Sequence, residues 1–126
     1  MTVARQRTGA RAEELVARRL ATTGWEIVER NARTRYGELD IVALDGHALV
    51  FVEVKAGRAG NRLGPERPVL AVDRRKQQRV RRLAAAWMAE RRGQIPRFAE
   101  IRFDAVGVSF DRGGRVTAVE HISNAF

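Results

Sequence analysis

The sequence predicts one α/β domain over residues 1–126, in which a central mixed sheet is flanked by helices. The chain has 126 residues and is 44% hydrophobic, which suits a single modest core. Its helical and strand-like segments follow in the order α-β-β-β-α-β-β, which is typical of a sheet with helices packed on it. The chain has no cysteine, so disulfides and thiolate metal sites are excluded.

Charge and hydropathy indicate where this domain works and what it binds. No apolar run approaches the ~18 residues that a membrane span needs, and the N-terminal stretch lacks the hydrophobic core of a signal peptide. We therefore expect a cytoplasmic protein. The formal net charge is +9, which favours a polyanionic partner, most often nucleic acid. A basic soluble protein without such a partner is the alternative.

Two helices are predicted from apolar spacing and end signals. The first covers residues 4–23 and stops at Gly24. The second begins after Asp73, a good N-cap, and runs to about Arg92 with Gly93 as its stop.

Five strands are predicted from β-branched and aromatic runs bounded by turn residues. They cover residues 25–31, 38–44, 48–55, 98–110 and 115–122. Three connections separate them: a basic loop over 32–37, a hairpin turn at Asp45-Gly46 and a turn over 111–114. Residues 56–70 are rich in Gly, Arg and Pro, and we expect a long loop there, since long loops in compact domains are usually functional or mobile.

The hairpin places charges where a sheet should be apolar. A two-residue turn at Asp45-Gly46 pairs Leu44 with His47, which sets Asp40 opposite Phe51 and makes it a diagonal neighbour of Glu53. Because side chains alternate between faces, one face then holds Glu38, Asp40, Phe51, Glu53 and Lys55. Carboxylates close together in an apolar setting are costly unless they bind a cation, and oxygen ligands suit Mg²⁺ or Mn²⁺.

Each helix is predicted to point one charged side chain toward the sheet. At helical spacing Glu13 falls in the apolar stripe of the first helix, whereas Glu14 pairs with Arg18 on the exposed side. In the second helix Lys76 lies on the same face as Val80. Lys55 and Lys76 are the two lysines among 24 basic residues, and both are predicted to point inward.

Structural roles remain open for each of these residues. Glu53 and Lys55 would also suit a partly buried ion pair, Asp40 a strand edge, Glu13 a solvated helix face and Lys76 a lysine that extends to solvent. Glu38 is equally compatible with the site and with an outward position. A structural role is favoured for Asp104, and the sequence assigns none to His47 or His121.

The charged residues of the hairpin resemble a known signature. Asp40 followed by Glu53-Val54-Lys55 resembles the PD-(D/E)xK nuclease motif, and the element order resembles the restriction-endonuclease-like core. The chain is more closely similar to the YraN-like uncharacterised bacterial family, which is grouped with Holliday-junction-resolvase-like nucleases. The matching stretches are "GARAEELVARRL", "RNARTRYGELDIVALDG", "LVFVEVKAGR", "AVDRRKQ" and "IRFDAV". Leu39 precedes Asp40 where the motif has proline.

The resemblance implies a Mg²⁺-dependent endonuclease-like activity on phosphodiester bonds, with branched DNA as a candidate substrate. In that family pattern Asp40, Glu53 and the Val54 carbonyl hold the metal, Glu13 completes its shell directly or through water, and Lys55 orients water or stabilises charge. Lys76 matches a basic position near the start of the following helix.

The arginines near this motif are candidates for phosphate contacts. We assign them to Arg58 and Arg62 in the loop and to Arg75 and Arg79 on the second helix, together with Lys76. A homodimer would suit a symmetric junction. The alternatives are a non-catalytic nucleic-acid-binding module and a basic structural or assembly protein with the same fold.

Overall fold

The computed structural model describes residues 3–58 and 67–126 and has the predicted element order. The elements are α1 (Val3–Thr22), β1 (Glu26–Thr34), β2 (Gly37–Asp45), β3 (Ala48–Arg58), a 3-10 helix (Pro68–Ala71), α2 (Arg74–Glu90), β4 (Glu100–Phe110) and β5 (Val116–Ile122). The predicted α/β class with a mixed sheet is therefore confirmed.

The five strands form one sheet in the order β1-β2-β3-β4-β5. β1, β2 and β3 pair antiparallel, β3 and β4 pair parallel, and β4 and β5 pair antiparallel. The parallel pair requires a crossover connection, which contains the 3-10 helix and α2. Two helices and the other four strands thus surround β3, whose C-terminal half carries Glu53 and Lys55.

The two helices are associated with two separate apolar clusters. The α1 cluster contains Val16 and Leu20 together with Val50, Val52 and Val54 of β3. The α2 cluster contains Leu83 and Trp87 together with Leu49 and Phe51 of the same strand. Because residues 49 to 54 alternate between the clusters, β3 is buried on both faces. Among the residues that the structure describes, no helix is both long and apolar enough to cross a membrane.

The C-terminal end of α1 and the start of α2 follow the prediction, whereas α2 ends at Glu90, two residues before the predicted Arg92. Gly24 adopts a φ of +96° after α1, and the Trp25 N–H donates to the Leu20 carbonyl at 3.0 Å, which is the pattern of a glycine C-cap. At the start of α2, Asp73 Oδ1 accepts a hydrogen bond from the Lys76 N–H at 3.0 Å. This N-cap fixes the first turn of α2 and hence the position of Lys76.

The predicted hairpin turn is wrong by one residue, so each residue of β2 pairs two residues further along β3 than predicted. Asp45 pairs with Ala48 and Val42 with Phe51, so the two-residue turn is Gly46-His47. The reason is the backbone at Gly46, which has a φ of +60°. A turn centred on Asp45-Gly46 would need a left-handed aspartate as well, whereas here the glycine is the one residue of the pair that takes this conformation.

Two predicted loops are also shorter than expected. β1 continues to Thr34, because Ala32 is buried against Leu39 of β2. β3 continues to Arg58, and the chain forms a 3-10 helix from Pro68. Of the predicted 56–70 loop, residues 59–66 lie outside the described part of the chain.

The 3-10 helix packs directly on the sheet at two glycines. A Cβ at Gly57 would lie 2.6 Å from Pro68 Cγ, and one at Gly107 would lie 2.5 Å from the Val69 nitrogen. Gly107 of β4 pairs with Lys55 of β3, which lies two residues before Gly57. The absence of side chains there lets the segment before α2 lie against the strand that carries Lys55.

Candidate functional site

The candidate site begins where β2 and β3 separate, at Asp40. The last cross-strand pair toward this end is Ile41–Val52. Beyond this pair, the Val54 N–H donates to the side-chain oxygen Oδ2 of Asp40 at 2.8 Å, and the backbone ladder does not continue. Asp40 therefore ends the antiparallel pairing with its side chain. The two polar groups of an extended residue point to the same side of the strand, so the Val54 carbonyl also faces β2.

The alternation of side chains is broken at the same point. Leu39 belongs to the α2 cluster and Ile41 to the α1 cluster, although they are two residues apart. On the neighbouring strand, Asn31 has a φ of +49° and lies between the pairs that join β1 to Leu39 and Ile41. The predicted placement of Asp40 and Glu38 on the Phe51 face is therefore wrong, because the backbone twists at Asp40. Asp40 instead lies at the boundary between the two faces.

Glu53 approaches Asp40 from the α2 side of the sheet. Phe51 lies in the α2 cluster, and alternation puts Glu53 and Lys55 on the same face. Burial raises the pKa of Glu53 to about 8, and the charge of Asp40 and a hydrogen bond to it act in the same direction. Lys55 and Arg79 oppose this rise. Glu53 therefore keeps its proton at neutral pH when no cation is close.

Glu13 approaches Asp40 from the other side, on α1. It is half-buried next to the α1 cluster, as its place in the apolar stripe predicts. Burial raises the pKa of Glu13 to about 8, and the charge of Asp40, a hydrogen bond to Asp40 and the charge of Glu38 act with it, whereas Arg30 opposes the rise. Asp40 is thus shared by two protonated glutamates, one from each face of the sheet.

Glu38 is exposed and lies on the α1 side of this group. It pairs in register with Arg33 of β1, not with Glu53. The charge of Glu38 raises the pKa of Glu13, so Glu38 lies at the border of the site.

Two lysines face the carboxylates from the α2 side. Lys55 follows Glu53 on the same face of β3, and Lys76 lies in the first turn of α2. Burial lowers the pKa of Lys76, the charge of Lys55 lowers it further, and Asp73 and Glu53 oppose this. The two ammonium groups therefore lie close together and form a compact positive centre beside Glu53.

The predicted phosphate-contacting arginines have separate positions. Arg79 is exposed and lies next to Gly37, and its charge opposes the raised pKa of Glu53. Arg75 is exposed on α2. Arg58 donates to Thr8 Oγ1 of α1 at 3.1 Å, on the face opposite Lys55. Arg62 lies outside the described residues.

The donor set fits a hard divalent cation in chemical type. Carboxylate and carbonyl oxygens are the ligands that Mg²⁺ and Mn²⁺ take. A cation would replace the protons that Glu13 and Glu53 retain because their pKa values are raised. Within residues 3–58 and 67–126, no three such side chains are already gathered closely enough to hold an ion. The carboxylates form a row with Asp40 in the middle, between Glu13 and Glu53.

A second acidic group is centred on Asp104, for which a structural role is predicted. Its carboxylate accepts hydrogen bonds from Arg102 at 2.9 and 3.1 Å, from the Asn124 N–H at 2.9 Å and meets His121 Nε2 at 2.8 Å. Sequence reasoning assigned no role to His121, because its contact with Asp104 depends on the register of β4 and β5. The exposed Tyr36 was also missed, and its signal was the aromatic residue inside the basic stretch 32–37.

The fold and this site define a small basic α/β protein with carboxylates and lysines at the separation of two central strands. The chain matches the model of the uncharacterised protein family UPF0102 over residues 12–108, which include all of the site's carboxylates and both lysines. The chain belongs to the UPF0102 family, which confirms the predicted YraN-like family. The likeness to nucleases stays a prediction.

Relatives in three bacteria match along nearly the whole chain. A UPF0102 protein of Nocardia farcinica is 46% identical over 97% of this chain and 91% of its own length. That of Moorella thermoacetica is 44% identical over the full length of both chains. That of Geobacter metallireducens is 40% identical over all of this chain and 97% of its own length.

Proposed function

We propose that this protein is a Mg²⁺-dependent endonuclease-like enzyme that hydrolyses phosphodiester bonds in nucleic acid, with branched DNA as the first candidate. One observation carries the proposal. Glu13, Asp40 and Glu53 converge from three elements at the end of the β2–β3 ladder, beside Lys55 and Lys76. Glu13 and Glu53 have raised pKa values although the domain has a net charge of +9.

Asp40 and Glu53 would hold the cation, together with the Val54 carbonyl, and Glu13 would complete its shell directly or through water. When bound, a divalent cation polarises a phosphoryl oxygen and lowers the pKa of a bound water. The protonated state of Glu13 and Glu53 supports this assignment. Glu13 and Glu53 keep their protons at neutral pH because their surroundings disfavour further negative charge. A bound cation would supply the positive charge that lets them ionise.

Lys55 supplies a fixed positive charge where negative charge develops on the phosphorus centre, and it orients the attacking water. Lys76 reinforces that charge from α2. A compact ammonium suits this position, because it contacts a single oxygen or water without the planar fork of arginine.

The arginines near the site would bind flanking phosphates without reading the base sequence. Arg79 and Arg75 are exposed on α2 next to the lysines, and Arg58 lies at the end of β3. Arg62 is assigned to the same role from its place in the sequence. Each phosphate neutralised should steepen the salt dependence of binding by about 0.9 in log K against log salt.

The test is metal-dependent cleavage of a panel of substrates. A four-way junction, a flapped duplex, single-stranded DNA and RNA are incubated with Mg²⁺ or Mn²⁺ and wild type, Asp40→Asn or Lys55→Ala. We expect cleavage of at least one substrate by wild type and a loss of about 100-fold or more in both variants, with binding retained. Glu26→Gln is the matched control, because Glu26 is exposed at the opposite end of β1.

A second readout separates cation binding from cleavage. Mg²⁺ should raise the melting temperature of wild type and of Glu26→Gln but not that of Asp40→Asn, because a ligand that binds the folded state stabilises it. Equal shifts in all three proteins would contradict the assignment of Asp40 and Glu53 to the cation.

The second candidate is a non-catalytic nucleic-acid-binding module. It is favoured by the row-like arrangement of the carboxylates, which within the described residues do not yet form a closed ligand cluster. It predicts tight, salt-sensitive binding and intact substrates in both Mg²⁺ and Mn²⁺. A basic assembly protein predicts neither cleavage nor any effect of metal.

A further inference from the structure

The turn between β1 and β2 presents an exposed aromatic ring in a basic setting. Tyr36 is 61% exposed, the highest value among the large hydrophobic residues that the structure describes. The guanidinium of Arg35 lies 5.2 Å from the centre of its ring. A guanidinium over one face of an exposed ring places a positive charge directly beside an apolar surface.

Hydrogen bonds hold this turn in one conformation. Thr34 Oγ1 donates to the Gly37 carbonyl at 2.8 Å and accepts from the Tyr36 N–H at 3.1 Å. The Arg35 N–H donates to Glu90 Oε2 of α2 at 3.0 Å. The ring is therefore presented by a preorganised turn, so that little conformational entropy is lost when it is covered.

The turn lies at the same end of the sheet as the carboxylates. Tyr36 precedes Asp40 by four residues, which is at most about 14 Å along an extended strand. Gly37 has a φ of +143°, and a Cβ there would lie 3.4 Å from Arg79 Nη2 and 3.3 Å from Leu83. Because Arg79 also acts on Glu53, a single guanidinium borders both the turn and the site.

We propose that Tyr36 stacks on an unpaired nucleobase, and that the protein thereby selects nucleic acid with an unpaired strand over continuous duplex. The inference rests on the proposed function for its partner class and adds which form of nucleic acid the site accepts. Exposed aromatic rings bind single strands by stacking, whereas the bases of a duplex already stack on one another. At 3.4 Å per nucleotide, the stacked base lies within roughly four nucleotides of the phosphate at the carboxylates.

Binding without catalysis tests this inference. The affinities of a labelled single strand and of the blunt duplex of the same sequence are measured by fluorescence anisotropy in EDTA. Tyr36→Ala and Tyr36→Leu should bind the single strand about tenfold more weakly and the duplex unchanged, whereas Tyr36→Phe keeps both affinities. Phe98→Ala is the matched control, since Phe98 is 38% exposed and lies beside the hairpin turn at the opposite end of the sheet.

Two further readouts distinguish stacking from charge and from altered folding. Arg35→Ala should reduce the slope of log K against log salt by about 1, and Tyr36→Ala should leave it unchanged. When a single abasic position is moved along the strand, the affinity of wild type should fall at one position. The affinity of Tyr36→Ala should not change at that position. Melting curves of Tyr36→Leu and Tyr36→Phe confirm that the variants fold.

The outcomes separate this inference from the proposed function. If Tyr36→Ala and Tyr36→Leu bind the single strand as Phe98→Ala does, or if wild type binds no single strand at all, the inference is overturned. Tyr36-dependent binding together with uncut substrates in Mg²⁺ and Mn²⁺ would support the inference and remove the nuclease proposal.

Discussion

Two acidic groups in this protein, centred on Asp104 and on Asp40, solve the burial of a carboxylate in opposite ways. Asp104 is the fully buried charged residue within the described part of the chain, and four hydrogen-bonding contacts surround it. Burial raises the pKa of Asp104, but His121, Arg102 and the Asn124 N–H outweigh this and hold it below its usual value. Asp40 is half-buried and meets two further carboxyls, Glu13 and Glu53.

The contrast separates a carboxylate whose contacts lower its pKa from an acidic group in which burial and repulsion between carboxyls outweigh the nearby positive charges. The Asp104 group contains its own cation, Arg102, which also bonds Asp45 at 2.9 Å. In the Asp40 group, the cost of burial appears as raised pKa values of Glu13 and Glu53. A fold that tolerates this cost in its interior is typical of a site that binds something from outside.

The largest expected effect is on stability, at Asp104. Asp104→Ala leaves the partly buried Arg102 with Asp45 alone and the Asn124 N–H without its acceptor, so we expect a loss of about 3–5 kcal/mol. Urea unfolding measures it. Asp45→Ala removes the partly exposed partner of the same arginine and should cost about 1 kcal/mol. Equal losses in the two variants would remove the distinction between the buried acceptor and its exposed neighbour.

A smaller effect of opposite sign is expected from Glu53→Gln in the absence of metal. Below pH 4.5 both folded and unfolded wild type hold the Glu53 proton, and between 4.5 and about 8 only the folded state does. The free energy of unfolding of wild type should therefore fall as the pH rises toward 8. Glu53→Gln should flatten this fall and be more stable than wild type by about 2 kcal/mol at pH 8. This is less than the ~1.4 kcal/mol per unit of pKa shift that a fully buried group would contribute, because Glu53 is partly exposed.

The measurement is urea unfolding from pH 5 to pH 9 with a chelator present. Glu26→Gln serves as the control and should follow the wild-type profile, since Glu26 is exposed and far from Asp40. A Glu53→Gln profile parallel to that of wild type would show that Glu53 does not retain its proton in the folded state.

The smallest effect sets the scale for an exposed carboxylate. Glu14 forms an ion pair with Arg18 at 2.7 Å on the solvent side of α1. Glu14→Gln should change the free energy of unfolding by roughly 0.3–0.5 kcal/mol, and 1 M salt should abolish the difference. A change as large as that at Asp104 would mean that burial is not what separates the two acidic groups.

The sequence predicts what depends on periodicity and on chain ends. The stripe that holds Val16 and Leu20 also turns Glu13 inward, and the stripe of Val80 and Leu83 does the same for Lys76. Gly24 and Asp73 mark helix ends by local chemistry alone. These features follow from interactions within about four residues, so a single sequence contains them.

Other features depend on contacts between distant segments. The hairpin register depends on which residue takes the positive φ, and Asp45-Gly46 and Gly46-His47 both supply a glycine for it. The break in alternation at Asp40 needs the matching distortion at Asn31 in β1. The contact of His121 with Asp104 requires the β4–β5 register, which no local pattern encodes.

The hydrogen bond from the Val54 N–H to Asp40 Oδ2 makes one backbone amide a spectroscopic reporter. Its proton senses the charge on Asp40 directly, because the carboxylate is its acceptor. In heteronuclear NMR spectra, the Val54 resonance should move with any ion that draws electron density from that oxygen. Occupancy at the centre of the acidic group is thus observable at a single atom, without nucleic acid and without turnover.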